Sequence, residues 1–349
     1  MKQRGRISDV AKLARVSPAT VSAVVNNRVG ESIRVSPETQ KRVWDAVQEL
    51  GYAANPVARS LAKGRNQLIG IFTYEAIFPI QRHDFFYPFL IGIEQEAEAQ
   101  GYDLLLYTSA NQAGKRSAYQ GRVNKLQLAD GAIFLGLNRN QQELAWLFEE
   151  KFPFVTIGRR EVPGYELTYI GADYISATAE LVSHIASKGH KRIAYLRSTD
   201  DREPFSDREC GFRQGMRLAE LSDDSVDIYH LQDSELTDVQ LREWLSAGIT
   251  AFVAESDIIG NALLKAAKAT DIRSPDGFSM AVLGQPLSPF ETLPEWTAFH
   301  IPRREMGARA VQLLVEMLDA EEETYPQSEL LACSFVAGNT VGAPPKQSG

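Results

Sequence analysis

The first fifty residues alternate apolar and polar positions with the period of an α-helix, in three segments separated by turns. In the first segment Val10, Leu13 and Ala14 recur at the spacing i, i+3, i+4 behind a capping residue, Ser8 or Asp9. This spacing puts the three apolar side chains on one face. We expect an amphipathic helix that packs against the segments that follow.

The second segment, VSPATVSAVVNN at residues 16–27, predicts a helix that starts directly after a turn. Ser17 is a favoured N-cap residue, and Pro18 fits the first helical position, where its missing N–H costs nothing. The helix would bury a stripe of valines at Val21, Val24 and Val25.

The third segment predicts a helix that begins at Ser36-Pro37 and ends at Gly51. Its buried positions would be Val43, Ala46, Val47 and Leu50. Helix, tight turn, helix and supporting helix is the order of a helix-turn-helix domain, whose second helix enters the DNA major groove. A three-helix cap on a larger domain is the alternative interpretation.

The face of the second helix opposite its valines carries only small side chains. On a helical wheel this face consists of Pro18, Ala19, Ser22, Ala23 and Asn26. Its serine and asparagine, with Ser17, would bind phosphates, whereas its proline and alanines could make only apolar contacts, for example with thymine methyl groups. We therefore expect little direct base readout here.

Residues 52–64 predict a further short helix, with Asn55 as its cap, Pro56 as its first residue and Gly64 as its stop. A helix of about eight residues is marginal alone in water and should form only when packed or bound. Leu61, its last large apolar residue, suits a wedge inserted into the minor groove. An ordinary packing role at a domain junction is the alternative for Leu61.

From residue 67 onward, short apolar strands alternate with amphipathic helices, which is typical of doubly wound parallel sheets. The first series contains the strands LIGIFT, DLLLYT, GAIFLGL and FPFVTIG, with helices predicted at 88–100, near 115–127 and at 141–150. The second series contains RIAYL, VDIYHL, TAFVAE and FSMAVLG. Two such units in tandem would form a cleft between them.

The predicted organisation is a head of residues 1–66, with a hinge helix at about 55–63, and a core of residues 67–349. A first subdomain would take residues 67–160 and 300–328 of the core. A second would take residues 161–299 and 329–349.

The charge distribution distinguishes the head from the core. The chain of 349 residues has a formal net charge of −8, but residues 1–66 hold 12 Lys and Arg against 5 Asp and Glu, and the remainder holds 25 against 40. A basic head indicates contact with a polyanion, since phosphate contacts supply the sequence-independent part of nucleic-acid binding. A solvated basic tail is the alternative.

We expect a soluble, cytoplasmic protein. No run of about eighteen apolar residues occurs, and no apolar segment follows the basic residues at the start, so neither a membrane span nor a secretory signal is expected. Cys210 and Cys333 lie far apart without a CxxC pair, which fits a reducing compartment and gives no zinc site or disulfide framework.

Four motifs follow one another in the head: DVAKLA, VSPATVSAVVN, VSPETQKRVWDAVQELGY and NPVARSLA. In this order they resemble the DNA-binding and hinge region of the LacI/GalR family of bacterial transcription regulators, and IASKGHKRIAYL and RECGF extend the likeness into the core. The resemblance implies an all-α helix-turn-helix domain followed by an α/β, periplasmic-binding-protein-like core of two doubly wound parallel-sheet subdomains. It also implies a homodimer on a palindromic operator, with its two hinge helices side by side in the minor groove.

By the same likeness, the recognition helix would contact double-stranded DNA through Ser17, Pro18, Ala19, Thr20, Ser22, Ala23 and Asn26. In the hinge, Leu61 would intercalate, with Tyr52, Asn55 and Ala58 supporting it on the DNA backbone.

Three positions depart from the family pattern in the head. Arg15 stands where the family usually turns on a glycine, so either Arg15 is left-handed, at a cost of about 1–2 kcal/mol, or the turn differs. Ala23 stands where many members carry a side chain able to read a base. The loop at residues 28–34 is longer than in the shortest members and could add phosphate contacts of its own.

The likeness places a small-molecule effector in the cleft, at the carboxyl ends of the strands. Phe86 corresponds to a family aromatic that lines the pocket, and Arg208 to the arginine that binds the effector through its bidentate donors. A surface ion pair with Asp207 or Glu203 is the alternative role for Arg208. Arg159, which ends the strand of TIGRR, is a weaker candidate.

Two further cleft positions differ from the family. Ser256-Asp257 replaces a familiar Asn-Asp pair, with Asp257 expected to act mainly as a helix cap. Pro286 stands where sugar- and purine-responsive members place an aspartate, so the usual acceptor is missing. A sugar or sugar derivative is the family default, and a phosphorylated or carboxylated ligand near Arg208 and Arg159 is its rival.

The sequence contains no pattern of a known enzyme class. The segment at 114–117, GKRS, lacks the spacing of a phosphate loop, and neither HExxH nor GxSxG occurs. We expect no enzyme activity, no cofactor and no metal. We expect a repressor whose effector is either an inducer or a co-repressor, and the alternative function is a cytoplasmic solute-binding protein without regulatory DNA binding.

Overall fold

The computed structural model describes residues 6–25, 34–52, 65–78, 83–110, 114–221, 226–232, 236–285, 294–320 and 327–345. The chain divides into two compact units, one of residues 1–68 with 128–130 and the other of the remaining residues. In the described part of the chain, no helix is both long and apolar enough to cross a bilayer.

The first unit contains the three predicted helices, α1 (Ile7–Ala14), α2 (Pro18–Val25) and α3 (Pro37–Leu50). They enclose one small core whose buried members are Val10, Ala11, Ala14, Val21, Val24, Val43 and Ala46. The helix-turn-helix prediction is confirmed.

Two details of α1 differ from the prediction. The helix begins at Ile7, so neither Ser8 nor Asp9 is its N-cap; Asp9 lies in the first turn, where its carboxylate accepts a hydrogen bond of 2.9 Å from the N–H of Arg6. Leu13, predicted on the buried face, is 44% exposed. Ala11 is buried in its place. A short helix can rotate about its own axis, and this rotation decides which residue beside the apolar stripe faces the core.

The residue of the turn between α1 and α2 that adopts the left-handed conformation is Arg15. This is the first of the two alternatives stated for it. Arg15 has φ 53° and ψ 49°, its N–H donates to the carbonyl of Lys12, and the N–H of Val16 donates to Ala11. These bonds satisfy carbonyl groups at the end of α1. The turn therefore keeps a geometry suited to glycine while carrying an arginine.

The caps of α2 and α3 are those predicted. The Oγ of Ser17 accepts from the N–H of Thr20 at 3.1 Å, and the Oγ of Ser36 accepts from Thr39 at 3.3 Å. Gly51 ends α3 in the left-handed conformation. The sequence fixes these boundaries locally, because each cap uses a side chain within one turn of the helix end.

The second unit contains two mainly parallel sheets. The larger has six strands, β1 (Leu68–Thr73), β2 (Asp103–Tyr107), β5 (Gly131–Leu135), β6 (Phe154–Ile157), β7 (Tyr169–Ala172) and β13 (Ser328–Leu331). Their order across the sheet is β13-β7-β6-β5-β1-β2. The smaller, in the order β11-β10-β8-β9, is built from β8 (Ile193–Ser198), β9 (Val226–Leu231), β10 (Ala251–Ala254) and β11 (Ser279–Val282).

Helices follow most of the strands. They are α4 (His83–Ala99), α5 (Gln141–Glu149), α6 (Tyr174–Ser187), α7 (Glu203–Leu218), α8 (Asp238–Ser246), α9 (Asp257–Thr270) and α10 (Arg303–Asp319). The alternation of strand and helix predicted for the core is confirmed.

Two predictions about the core are wrong. The helix expected near 115–127 is instead a short hairpin of β3 (Tyr119–Gln120) and β4 (Val123–Asn124), followed by a 3₁₀ turn at Lys125–Leu128. The boundary at residue 161 falls too early, because β7 pairs with both β6 and β13 in the larger sheet. The boundary between the two subdomains depends on which strands pair, and these strands can be far apart in the sequence.

The last segment joins both sheets, but not at the predicted boundary of residue 329, because β13 (Ser328–Leu331) pairs with β7 in the larger sheet. After β13, strand β14 (Ser334–Val336) pairs antiparallel with β12 (Ala298–His300) beside the smaller sheet. The chain thus crosses between the two halves of the core more than once.

Glycines set how closely the core helices pack. A Cβ at Gly211 of α7 would lie 2.5 Å from the carbonyl oxygen of Ile175 and 2.8 Å from Cβ of Thr178, both on α6. A Cβ at Gly215, one turn later, would lie 2.8 Å from the carbonyl oxygen of Ala179. The glycine of the RECGF motif therefore serves packing, and it holds α7 against α6.

We expect Arg15→Gly to stabilise the first unit by about 1 kcal/mol, because glycine adopts the left-handed turn without a Cβ clash. Hydrogen exchange of the α1 and α3 amides in the full chain measures this. Arg15→Ala is the control, since it removes the same side chain and keeps the strained backbone. Equal protection in both variants would show that the turn is not strained.

We expect Gly211→Ala to destabilise the core by about 1–3 kcal/mol, because the added methyl overlaps the α6 backbone. Thermal unfolding measures the loss. Cys210→Ala, at an exposed position on the same helix, should leave the unfolding temperature close to that of the wild type. A neutral Gly211→Ala would mean that the two helices separate without cost.

Candidate DNA-binding helix and ligand cleft

The exposed side chains of α2 and its cap are short, as the sequence indicated. Ser17, Pro18 and Ala19 are exposed, and Thr20 and Ser22 are partly exposed. The Oγ of Ser17 also lies 2.9 Å from the Oγ1 of Thr20. Part of the hydrogen-bonding capacity of Ser17 is therefore used by the helix cap.

Ala23 is not on the open face. Its side chain is only 5% exposed, which makes its predicted placement opposite the valines wrong. Alanine is among the residues most often fully buried, because its methyl group reaches so little beyond the backbone that neighbours cover it. The outer face of α2 is thus narrower than a helical wheel suggests.

Several predicted positions lie outside the described residues, namely Asn26, the hinge with Asn55, Ala58 and Leu61, and Pro286. Tyr52, the last described residue before the hinge, is half-buried and packs against the core of the three helices. Its predicted DNA contact stays a prediction.

In the second unit, a cleft of about 390 Å³ opens between the two sheets. Its walls are the carboxyl ends of strands and the first turns of α6, α7, α9 and α10. This is the position at which α/β proteins of this architecture bind ligands. The volume lies in the usual range for sites that enclose a small molecule.

Arg208 of α7 lies in this cleft. Its guanidinium carbon is 4.4 Å from the ring centroid of Tyr174 and 5.9 Å from that of Phe205. Among the described residues its Nε is buried without a hydrogen-bond partner. The aromatic rings stabilise the cation while leaving its donors for a ligand.

The alternative role of Arg208, a surface ion pair, is not what the structure shows. Glu203 pairs with Arg139, and Asp207 pairs with Arg159 at 2.5 Å. Both carboxylates therefore have other cationic partners.

Phe86 does not line the cleft, which corrects the prediction. It is 2% exposed within the main core. Its neighbour Phe85 lines the cleft and meets Phe86 edge to face with ring centroids 5.0 Å apart. Successive residues of a helix point about 100° apart, so one residue of a motif faces the core and the next the cleft.

Arg159 is also displaced from its predicted role. Its guanidinium binds Glu161 and Asp207. It lines two neighbouring pockets, of about 50 and 450 Å³, and not the cleft between the sheets. Burial lowers the pKa of Arg159, but hydrogen bonding and charge attraction from those two carboxylates outweigh it, so the pKa lies above its usual value. Arg159 acts as a link between secondary-structure elements.

Ser256 and Asp257 both lie at the cleft, with their expected roles exchanged. The Oγ of Ser256 accepts from the N–H of Ile259 at 3.4 Å and caps α9. Asp257, in the first turn, is buried and lines the cleft. The prediction that Asp257 is the cap is wrong, because the residue before the first helical turn has the geometry to cap.

Sequence reasoning missed Arg303 and Gln285. Arg303, the first residue of α10, is 7% exposed, and its Nη1 donates to the Oε1 of Gln285 at 2.9 Å. Burial lowers the pKa of Arg303. The same Oε1 accepts from the N–H of Ile301 at 3.0 Å. Their positions in the sequence could have indicated them, since Gln285 follows the carboxyl end of β11 and Arg303 is the first residue of a helix.

One edge of the cleft is closed by bonds between the two sheet systems. The carboxylate of Glu203, at the start of α7, accepts from Arg139 and from the N–H of Glu161 at 2.8 Å. Arg202 donates to the side chain of Asn138 at 2.8 Å. The loops after β5 and β6 are thereby tied to the beginning of α7.

The acidic residues of the cleft are mostly engaged. Glu255 accepts from the hydroxyl of Tyr195 at 3.0 Å and from the N–H of Ser198 at 2.9 Å. Asp200 binds Arg202, with its Oδ1 2.9 Å from Nε. Within the described ranges, no group of three His, Cys, Asp or Glu is arranged to hold a metal ion.

Two family patterns match the chain. Residues 6–55 match the bacterial regulatory proteins of the lacI family, and residues 182–341 match the periplasmic binding protein-like domain. The first match covers α1 to α3, and the second covers the whole smaller sheet, α7 to α10 and β12 to β14.

Named relatives align over nearly the whole chain. The HTH-type transcriptional repressor PurR of Aliivibrio fischeri is 30% identical over 343 residues, covering 95% of this chain and 98% of the relative. The HTH-type transcriptional regulator CelR of Thermobifida fusca is 27% identical over 326 residues, covering 92% and 94%.

Solved structures agree. The transcriptional regulator CelR–cellobiose complex superimposes with a TM-score of 0.63 at 25% identity, covering 97% of this chain and 100% of the other. The lac repressor dimer bound to operator and the anti-inducer ONPF gives a TM-score of 0.74 at 21% identity, covering 98% and 100%. The lac repressor likeness shows the fold.

The match of the head to the lacI pattern removes the alternative of a solute-binding protein without DNA binding, since such a protein would lack the three-helix unit. With the full-length relatives, it establishes that this chain belongs to the lacI family of bacterial regulatory proteins and is a DNA-binding transcription regulator, not an enzyme.

Proposed function

We propose that the protein is a cytoplasmic homodimeric repressor that binds a palindromic operator through α2 and the hinge, and that a small molecule in the cleft controls its DNA affinity. The observation that carries this proposal is the presence, in one chain, of a three-helix DNA-binding unit and of a cleft in which the Nε of Arg208 has no hydrogen-bond partner among the described residues. By the family default the effector would be a sugar, as in the cellobiose complex of CelR.

Exposed apolar side chains support a dimer. Strand β2 lies at the edge of the larger sheet, and its Leu104 and Leu106 are exposed. Tyr87 on α4 is exposed as well. An exposed apolar edge strand is a ready site for association with another chain. Sedimentation of the purified protein tests this.

DNA contact is proposed for Ser17, Pro18, Ala19, Thr20 and Ser22 on α2. Their short side chains let the helix backbone lie close to the groove, and the polar ones supply phosphate donors. Ala23 contributes no base contact, because it is covered. Specificity would then depend on the hinge and on DNA deformability.

We expect a chain without residues 1–64 to fold, to bind effector and to have no specific affinity for duplex DNA. This boundary keeps Asn66, whose backbone N–H donates to Asp130 at 2.6 Å. Sequencing the genomic fragments retained by the full chain identifies the operator, and the truncated chain is the control. Specific retention by the truncated chain would place DNA binding in the core and contradict the proposal.

We expect Leu61→Ala to weaken binding to that operator far more than binding to random duplex, because a wedge acts by unstacking one central base step. Competition binding measures both affinities. Changing the central step should have the same effect on the wild type. An equal loss on both DNAs would assign Leu61 to packing and leave base reading to α2.

A further inference from the structure

The cationic centre of the cleft consists of Arg208 and Arg303. Arg303 donates to a neutral amide oxygen, that of Gln285, and its guanidinium carbon lies 5.7 Å from the ring of Phe85. Arg208 lies over Tyr174 with its Nε buried and unpartnered. The pKa of Arg303 is lowered by burial and also by the positive charge of Arg208.

The formal charges that line the cleft balance, but its arginines and acids are not matched pair by pair. Three arginines and three acids face it: Arg202, Arg208, Arg303, Asp200, Glu255 and Asp257. Arg202 is paired with Asp200. Glu255 is bonded to Tyr195 and Ser198 and lies 3.8 Å from Arg197, which also pairs with Glu209. Asp257 lines the cleft too, and its carboxylate acts on Arg303 by charge attraction.

Helix geometry adds partial positive charge to the cleft. Tyr174, Phe205, Asp257 and Arg303 lie in the first turns of α6, α7, α9 and α10. Helix N-termini present N–H groups and partial positive charge. A buried positive centre is costly unless an anion neutralises it.

We propose that the effector of this protein carries an anionic group, a carboxylate or a phosphate, that binds between Arg208 and Arg303. This inference rests on the proposed function and narrows the chemistry of its ligand. Planar guanidinium groups bind both kinds of oxyanion through paired N–H donors. The apolar walls, among them Phe85 and Leu283, would enclose the remainder of the molecule.

The test is thermal unfolding of the full chain in sodium phosphate, sodium acetate or glucose, each compared with sodium chloride at equal ionic strength. At about 20 mM, general salt stabilisation is small. We expect at least one anion to raise the unfolding temperature by about 2 °C over chloride, since a bound ligand stabilises the native state. The phosphate and acetate arms distinguish the two sources of the anionic group.

Matched variants locate the effect. Arg303→Gln and Arg208→Gln should abolish the rise relative to their own unfolding temperatures in chloride. Arg309→Gln and Arg213→Gln should keep it, because these arginines lie on the same two helices and are paired with Glu329 and Glu209. Circular dichroism of each variant confirms folding before titration.

No rise over chloride with either anion would overturn the inference, and so would an equal rise in the cleft variants. A rise with glucose alone would assign a neutral ligand to the cleft and overturn it as well. Retention of genomic fragments by the same preparation is measured in parallel. If DNA is retained while the anions fail, the inference fails and the proposed function stands.

Discussion

The buried carboxylate of Glu203 joins the two halves of the core. It receives hydrogen bonds from Arg139 and from the N–H of Glu161, which follow β5 and β6 of the larger sheet, while Glu203 itself starts a helix of the smaller one. A buried charge of this kind is strongly destabilising when one partner is removed. The edge of the cleft, and with it the distance between its walls, depends on this arrangement.

The same helix positions the arginine of the cleft. Gly211 and Gly215 allow α7 to lie directly against the α6 backbone, and Tyr174 at the start of α6 then meets the guanidinium of Arg208 at 4.4 Å. A larger residue at either glycine would push α7 away. The position of Arg208 in the cleft and the packing of α7 thus share one cause, which places an arginine of the cleft and a packing glycine three residues apart in RECGF.

Electrostatics divides the protein functionally. The head carries the excess of basic residues that phosphate binding requires, while the remainder of the chain is acidic. Within that acidic remainder, the cleft holds the guanidinium groups of Arg208 and Arg303, while Asp200 and Glu255 are engaged by other groups. An anionic ligand would be held there by short-range contacts despite the negative net charge of the core. Mobile ions largely screen interactions between exposed charges that are more than about 10 Å apart.

The sequence by itself determined the elements whose causes are local. Caps at Ser17, Ser36 and Gly51 and the valine stripe of α2 follow from side chains within one turn of each other, and the alternation of strands and helices follows from periodicity. The tertiary structure decided what depends on distant residues, namely the pairing of β7 with β13, the hairpin at 119–124 and the burial of Ala23. It also decided that Phe85 lines the cleft where Phe86 was predicted, and that Arg303 lines it where Arg159 was predicted. A helical wheel or a motif places a residue on an element, but only the packing of several elements selects which side faces the ligand and which charges remain without a partner.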